Sequence, residues 1–270
     1  GVSLSGQELD DEDLEPKDES GGDGGDSLPD YPDSWDVERV APRADVLIES
    51  MRDIGYSLET ALADVVDNSI TSGATRVSVY AEHVDSEYRV AVLDDGCGMM
   101  RYELMDAMRL GSRSPLEERQ ASDLGRFGMG LKTASFSQCR RLTVVSRKEG
   151  RTCSAVWDLD YVADVNDWVL QVPKDATTIP RYECLGKQGT LVLWQKLDRV
   201  VGDHDSDKEQ AHFTRRLDEA RGHLELVFHR FLSPDTGSPK LQISLNDREL
   251  KAHDPFYSSH PATVHGPKEL

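Results

Sequence analysis

The sequence lacks paired cysteines. Cys97, Cys139, Cys153 and Cys184 lie far apart, and no two of them form a CxxC pair. This spacing argues against a zinc site and provides no disulfide framework. We therefore expect a reducing compartment, which is the cytoplasm or, in a eukaryote, the nucleus.

A long hydrophobic run is absent as well. No stretch of the sequence approaches the roughly 20 apolar residues of a membrane-spanning helix. No positively charged, apolar leader opens the chain. We expect a soluble intracellular protein that has no membrane partner.

Positive charge is scarce. The chain has 31 Lys and Arg against 50 Asp and Glu, a formal net charge of -19. Residues 1–36 hold thirteen acidic side chains and only Lys17, so they carry -12 and the other 234 residues carry -7. Because nucleic-acid backbones are bound by clustered Lys and Arg, we do not expect an obligate nucleic-acid binder. Basic pairs at 140–141, 147–148 and 215–216 are interpreted as solvated faces, with DNA contacts as the alternative.

Composition divides the chain into three parts. Residues 1–36 are rich in Gly, Ser, Asp and Glu, which bury too little apolar surface to offset the entropy of ordering. We predict a disordered acidic tail there, and a decoy for a basic partner surface is the alternative. Residues 37–200 are predicted to form the main domain, and residues 201–270 the beginning of a second one.

Hydrophobic periodicity predicts an α+β protein. Apolar residues recur at helical spacing in five segments and alternate with polar residues in the strands between them. We predict a two-layer sandwich of a mixed, mainly antiparallel sheet with helices on one face. Tight turns are expected at 85–86 and 246–247. The predicted helices are 43–51, 58–72, 101–110, 130–138 and 206–232, and the predicted strands are 76–81, 88–93, 141–147, 152–159, 189–196, 241–245 and 249–252.

The helix predicted at 58–72 has a polar side that holds Asp64, Asp67 and Asn68. Ser57 is its expected N-cap. A carboxylate and an amide four residues apart point in the same direction on a helix. A solvent-facing polar side is the simpler interpretation, but two glycine-rich turns nearby in the sequence favour a ligand site.

The first of these turns is Asp94-Asp95-Gly96-Cys97-Gly98-Met99, and the second is GRFGMGLK at residues 125–132. Glycine N–H groups at the start of a helix bind phosphate, and Lys132 adds a positive charge. A Rossmann fingerprint would need a preceding parallel strand, and a P-loop would need GxxxxGK[ST]; neither pattern is present. For the first turn, an ordinary Asp-Gly turn at the end of a strand is the alternative.

In this order and at this spacing, the three stretches resemble the N-box, DxGxG and GxxGxG motifs of the GHKL ATPases, which share the Bergerat fold. The resemblance covers about residues 40–200. GRFGMGLK is most similar to the form in MORC-type and related prokaryotic ATPases of the heat-shock-chaperone type, and Asp254-Pro255-Phe256 resembles the start of the MORC transducer. The resemblance implies a Bergerat sandwich at 37–200, a transducer-like domain beginning at 201–270, and ATP and Mg²⁺ as ligands.

The resemblance assigns roles to the polar side of the predicted helix. The N-box asparagine corresponds to Asn68, which makes Asn68 the expected magnesium ligand. The glutamate that orients or deprotonates the attacking water corresponds to Asp64, which is one methylene shorter. Since a misplacement of around an ångström reduces a rate by roughly a hundredfold, we expect slow hydrolysis. Asp67 would hydrogen-bond to bound water or to the adenine side.

The resemblance also assigns the adenine and phosphate contacts. Asp94 corresponds to the acceptor for the adenine amine, and Thr190 to a threonine that supports that aspartate and a bound water. Gly96, Gly98 and Met99 would lie against the base. Lys132 is expected to act in catalysis as well as in phosphate binding. The expected phosphate contacts are Gly125, Arg126, Phe127, Gly128, Met129, Gly130, Leu131 and Lys132.

These roles predict a slow, Mg-dependent ATPase in which ATP gates homodimerisation or a conformational switch. Residues 37–56 and 106–124 would be the moving segments. An ATP-binding scaffold that recruits partners with negligible turnover is one alternative, and a structural domain with an empty pocket is another. A DNA or protein client, bound through regions outside this chain, is left open.

Overall fold

A computed structural model describes residue 40 and residues 42–53, 55–111, 130–200, 206–233, 240–257 and 261–264. The chain divides after Ala41 into two units, of which the second, Pro42–Leu270, is compact. The acidic tail predicted at residues 1–36 lies outside the described residues. Every helix and strand given below belongs to the second unit.

The helices lie close to their predicted positions, except that Leu159–Val165 is a helix that was not predicted. Ser57 caps α2 as expected, because its Oγ accepts a hydrogen bond from the Thr60 N–H. The single helix predicted at 206–232 is two helices. Within the described residues, no helix is long and apolar enough to cross a membrane. The helices are α1 (Ala44–Arg52), α2 (Leu58–Thr71), α3 (Arg101–Met108), α4 (Gly130–Phe136), α5 (Leu159–Val165), α6 (Ser206–Val227) and α7 (His229–Leu232).

The strands form one mixed sheet. Their order across the sheet is β4-β3-β5-β2-β1-β6-β7. Only the β1–β6 pair among the described strands is parallel, and the other neighbours are antiparallel. The predicted α+β class with a mixed, mainly antiparallel sheet is confirmed. The strands are β1 (Arg76–Val84), β2 (Glu87–Asp94), β3 (Arg141–Lys148), β4 (Arg151–Asp158), β5 (Gly189–Gln195), β6 (Gln242–Leu245) and β7 (Arg248–Glu249).

Three hairpins of this sheet close with two-residue turns at 85–86, 149–150 and 246–247. Both residues of each turn have a positive φ, between 46° and 76°. This is the geometry of a type I′ turn, whose twist matches that of the strands it joins. The turns predicted at 85–86 and 246–247 are therefore confirmed.

The two faces of the sheet are covered differently. On one face, Val92 and Val192 belong to the large core beneath the α-helices. On the other face, Leu93 and Leu191 belong to a smaller cluster that includes Ile179 and Leu185. The short 3₁₀ helices Ala176–Thr178 and Tyr182–Cys184 flank that cluster. The sandwich therefore has its main helical layer on one face, as predicted.

The elements beyond residue 200 share the sheet and the core of the earlier part. Strand β6 pairs with β1, with Ile243 opposite Val77, and Leu224 of α6 lies in the large core. The Asn246 side chain accepts from the Ala81 N–H at 2.8 Å and donates to the Ala81 carbonyl at 3.0 Å. The division predicted between 37–200 and 201–270 stays a prediction.

Lys132 joins α4 to the end of α3. Its side chain is fully buried, and its Nζ donates to the carbonyl oxygens of Ala107 and Arg109, each at 2.7 Å. The last carbonyls of a helix have no partner within the helix, so a lysine there satisfies them. Burial lowers the pKa of Lys132 to about 8.

Two glycines allow close backbone contacts where β2, β3 and β5 end. Gly189 has a φ of 129°, and a Cβ there would lie 2.0 Å from the Asp94 carbonyl oxygen. Gly98 has a φ of 66°, and a Cβ there would lie 2.1 Å from the Arg147 carbonyl oxygen. A side chain at either position would force the backbones of neighbouring strands apart.

We expect Gly189→Ala to destabilise the fold far more than Gly150→Ala. Gly150 also has a positive φ, 76°, but a Cβ there would meet nothing within 4 Å. Gly150→Ala should cost about 1–2 kcal/mol for the backbone conformation alone, and Gly189→Ala more than about 3 kcal/mol because of the added clash. Urea denaturation measures both values, and equal losses would contradict the prediction.

The burial of Lys132 predicts how stability depends on pH. The ordinary pKa of lysine is 10.5 and that of folded Lys132 is about 8, so between these values the unfolded chain binds more protons at this site. The contribution of Lys132 to the free energy of unfolding must then rise with pH across that window. The difference in unfolding free energy between wild type and Lys132→Met should grow by up to about 1.4 kcal/mol per pH unit. Urea denaturation between pH 8 and pH 10 measures it, and a constant difference would refute the assignment.

Candidate functional site

Three polar residues form a row across the ends of β2, β5 and β3. Asp94 pairs with Thr190, and Thr190 pairs with Ser146. Each lies two positions from a valine of the large core: Asp94 follows Val92, Ser146 follows Val144, and Thr190 precedes Val192. Since side chains two apart share a face, all three residues occupy the helix-covered face, at the point where its apolar packing ends.

The Asp94 carboxylate is held by three donors. Its Oδ1 accepts from the Gly96 N–H at 2.9 Å and from the Thr190 N–H at 3.2 Å. Its Oδ2 accepts from the Ser69 hydroxyl on α2 at 3.0 Å. Burial raises the pKa of Asp94, and these hydrogen bonds oppose the rise. The result is an acceptor of fixed orientation beneath α2.

The loop after β2 is fastened on several sides. Gln188 Nε2 donates to the Gly96 carbonyl at 3.0 Å, and the Met99 N–H donates to the Ser146 hydroxyl at 2.8 Å. A Cβ at Gly96 would lie 1.9 Å from the Ser72 Oγ. Gly96 and Gly98, predicted to let a base approach, are thus also required by contacts within the protein.

The polar side of α2 brings Asp64, Asp67 and Asn68 together. Asn68 is exposed, and its Nδ2 donates to the Asp64 carbonyl oxygen at 2.9 Å. This hydrogen bond uses the nitrogen of the amide, so the amide oxygen is the atom left for a cation. Ser69, the next residue, is the one that binds Asp94.

The pKa values of two acids on this side of α2 are raised. Burial raises the pKa of Asp64, and a hydrogen bond from the Tyr56 side chain opposes that rise. Burial also raises the pKa of Asp67, and the charge of Asp64 raises it further. A Cβ at Gly130 would lie 3.9 Å from Asp64 Oδ2. The first residue of α4 is therefore adjacent to the Asp64 carboxylate.

The residues predicted to contact the phosphates do not all lie beside the acids of α2. Leu131 packs against the large core, and the Lys132 ammonium is engaged by the carbonyls at the end of α3. The structure therefore does not bring the Lys132 ammonium to the acids of α2. The glycine-turn residues Gly125, Arg126, Phe127, Gly128 and Met129 lie outside the described residues, as do residues 112–124 of the predicted moving segment.

Sequence reasoning missed the hydroxyls behind the site. Ser69 is buried on the core side of α2 with Leu62 and Val65, and it also binds Asp94. Ser146 is a fully buried serine in a strand where Leu142 and Val144 fill the same face. A polar residue at a position where the alternation calls for an apolar one was the signal that could have revealed it.

The donor set suits a hard cation. Within the described residues, no group of three or more His, Cys, Asp or Glu could hold a metal ion by itself. Mg²⁺, however, usually takes one or two protein oxygens and completes its shell with water and phosphate oxygens. The amide oxygen of Asn68 and the nearby carboxylates of Asp64 and Asp67 fit that pattern.

Comparison with known proteins supports a relationship over this region. A profile of the family "Histidine kinase-, DNA gyrase B-, and HSP90-like ATPase" matches residues 56–189. ATPase MORC2 of Homo sapiens is 30% identical over 195 residues, which is 71% of this chain and 19% of that protein. ATPase MORC2B of Mus musculus is 22% identical over 198 residues, with the same two shares, 71% and 19%.

A repair protein is also similar. The DNA mismatch repair protein MutL of Paramagnetospirillum magneticum is 32% identical over 101 residues, 37% of this chain and 16% of that protein. The chain spans about a fifth of the length of the MORC proteins that it matches. The profile match contains α2 with its acids, the row residues Asp94 and Ser146, and α4. Through residues 56–189, the chain therefore belongs to the histidine kinase-, DNA gyrase B- and HSP90-like ATPases, the GHKL family.

Proposed function

We propose that this chain binds Mg-ATP between α2 and the ends of β2, β5 and β3, and hydrolyses it slowly. The hydrogen bond from Ser69 to Asp94 carries the proposal. Because Asn68 and Ser69 are consecutive, one turn of α2 holds both a candidate metal ligand and the clamp on a candidate base acceptor. A nucleotide needs these two groups at once, one for its base and one for its phosphates.

Asp94 is proposed to recognise the base. An ionised carboxylate only accepts hydrogen bonds, and the exocyclic amine of adenine is a donor. Oδ1 already accepts from two N–H groups and Oδ2 from one hydroxyl, so Oδ2 has the larger remaining capacity. Gly96, Gly98, Met99 and Thr190 complete the proposed base contacts.

Asn68 is proposed to bind Mg²⁺ through its amide oxygen, with Asp67 close to the shell of bound water. The ion would neutralise charge on the phosphate oxygens. The N–H groups of the segment 125–132 are proposed to hold the phosphates, and Lys132 would add its positive charge from the start of α4 only if its ammonium left the carbonyls of Ala107 and Arg109. The position of Gly130 beside Asp64 supports this arrangement, because it brings the start of α4 to the acids of α2.

Asp64 is proposed as the general base. Burial raises its pKa, which moves a carboxylate toward the range where it accepts a proton effectively near neutral pH. The Tyr56 side chain opposes part of this rise in pKa. The short side chain keeps turnover slow, since a base must lie within hydrogen-bond reach of the attacking water. An ATP-binding scaffold with negligible turnover is the alternative that this short side chain favours.

Nucleotide-gated homodimerisation or switching is the proposed use of ATP. The name of one matched relative, the DNA mismatch repair protein MutL, supports a DNA client bound by regions outside this chain, and a protein client is the alternative. All four cysteines are free, which supports the reducing cytoplasm or, in a eukaryote, the nucleus. Detection of the protein only in an oxidising compartment after cell fractionation would overturn that location.

Asp94→Asn should strongly weaken ATP binding while keeping the fold. The amide oxygen can still accept from Gly96 and Thr190, and the amide nitrogen can donate to Ser69, whose hydroxyl is also 3.3 Å from the Val65 carbonyl. The new N–H group would oppose the adenine amine, so affinity should fall about 100-fold. Calorimetric titration with ATP measures the loss.

The matched control is Asp95→Asn. Asp95 binds the backbone and hydroxyl of Thr75 and the Arg76 N–H, away from Ser69, so its variant should bind ATP within about twofold of wild type. Equal losses in the two variants would show that charge alone, rather than the Asp94 contact, governs binding.

Asp64→Glu should raise turnover, and Asp64→Asn should abolish it. Adding one methylene extends the carboxylate toward the reach of the family's glutamate, so we expect a rise in kcat of roughly tenfold. The amide cannot accept the proton, so phosphate release should fall to background with ATP affinity largely retained. A wild-type rate no higher than that of Asp64→Asn would favour the scaffold.

The Asp64→Asn variant also tests the gating. Bound ATP is not consumed, so light scattering should detect more dimer with Mg-ATP than without nucleotide. Equal dimer fractions would exclude nucleotide-gated dimerisation and leave the binding assignment intact.

A further inference from the structure

Ser146 carries a buried hydroxyl that makes no direct contact in the proposed nucleotide site. Its exposed fraction is 0%, whereas Thr190 beside it keeps 8%. A ligand in the proposed site can therefore reach Thr190 but not Ser146. Any influence of Ser146 on the ligand must pass through the residues that it contacts.

Ser146 has three hydrogen-bond partners with different requirements. The Met99 N–H, at 2.8 Å, can only donate, and the Gly189 carbonyl, at 3.2 Å, can only accept. The Thr190 hydroxyl, at 3.0 Å, can do either. Ser146 has a single hydroxyl hydrogen, so it donates either to Thr190 or to Gly189.

The two choices give Thr190 opposite properties. When Ser146 donates to Thr190 Oγ1, the Thr190 hydrogen is free for an acceptor on a ligand. When Ser146 donates to Gly189 instead, Thr190 donates back to Ser146 and offers the ligand only lone pairs. The shorter contact, 3.0 Å against 3.2 Å, is closer to an ordinary O–H···O distance and favours the first state.

The first state complements adenine. Asp94 offers an acceptor, and Thr190, its cross-strand neighbour, then offers a donor. Adenine presents the reverse pair, an amine donor beside the N1 acceptor, whereas hypoxanthine and guanine present a carbonyl acceptor beside an N1–H donor. A donor at Thr190 thus matches adenine, directly or through one water, and disfavours the other two bases.

We propose that Ser146 is a positioning residue that gives the site its preference for adenine. It does so by directing the Thr190 hydroxyl hydrogen to the ligand and by fastening the Met99 backbone against β3. This inference rests on the proposed ATP site and adds to it the residue that sets base specificity.

The test compares ATP with inosine triphosphate, which carries the reversed pattern. Calorimetry gives a dissociation constant for each nucleotide, and their ratio is the readout. Ser146→Ala removes the partner of the Met99 N–H, which should change the affinity for both nucleotides by the same factor. It also removes the partner of the Thr190 hydroxyl, which should change the two affinities by different factors. We expect the affinity for ATP to fall about tenfold, as for the loss of one hydrogen bond. The ratio of the dissociation constants for inosine triphosphate and ATP should fall by a similar factor.

A double-mutant cycle identifies the route of the effect. In a Thr190→Val background the hydroxyl is absent, so adding Ser146→Ala should leave the ratio unchanged. Ser154→Ala is the matched control. Ser154 is also a buried serine, but it lies on β4 and its cross-strand partner is Val145, so it is not paired with Ser146. Its ratio should equal that of wild type.

The outcomes separate this inference from the proposed function. A wild-type chain that binds neither nucleotide overturns both. A wild-type chain that prefers ATP, with an unchanged ratio in Ser146→Ala or with additive effects in the cycle, overturns only the role of Ser146. Should circular dichroism show that Ser146→Ala is unfolded, Ser146→Cys, whose thiol is a weak donor, must show the same narrowing, and an unchanged ratio there overturns the role.

Discussion

The hydrogen bonds to the Asp94 carboxylate are the interaction on which the rest of the site depends. They come from three separate parts of the chain: the loop after β2, the first residues of β5, and α2. A partly buried charge is costly unless donors surround it. The same donors that offset this cost also fix the orientation of the carboxylate. The hydrogen bonds that stabilise the buried charge therefore also prepare it to bind a ligand.

The sheet supplies the geometry for that requirement. Antiparallel pairing sets Asp94, Thr190 and Ser146 side by side, and the large core beneath the helices ends at the row they form. Close backbone contacts at Gly98 and Gly189 are possible only because these residues have no side chain. A rigid, closely packed end of a sheet is therefore the support for a polar cluster, as a specific binding site requires.

Much of the fold was predictable because hydrophobic periodicity and turn residues act over short distances. The capping of α2 by Ser57 and the turns at 85–86 and 246–247 follow from local chemistry. Less local features were not predictable. Val227 and Phe231 are apolar residues of the segment predicted as one helix, yet they are 45% and 40% exposed, because Leu224, Phe228 and Leu232 are the residues that enter the core there.

The sequence by itself determined most of the elements, the α+β class and the motif residues Asp64, Asn68 and Asp94, since each depends on neighbours a few positions away. Only the tertiary structure decided that Ser69 hydrogen-bonds to Asp94 and Ser146 to Thr190. It also decided that the Lys132 ammonium binds the carbonyls at the end of α3. Those contacts link residues 23 to 47 positions apart in the chain. Such partners are set by the register of the sheet and by the packing of helices on it, so no local sequence pattern predicts them.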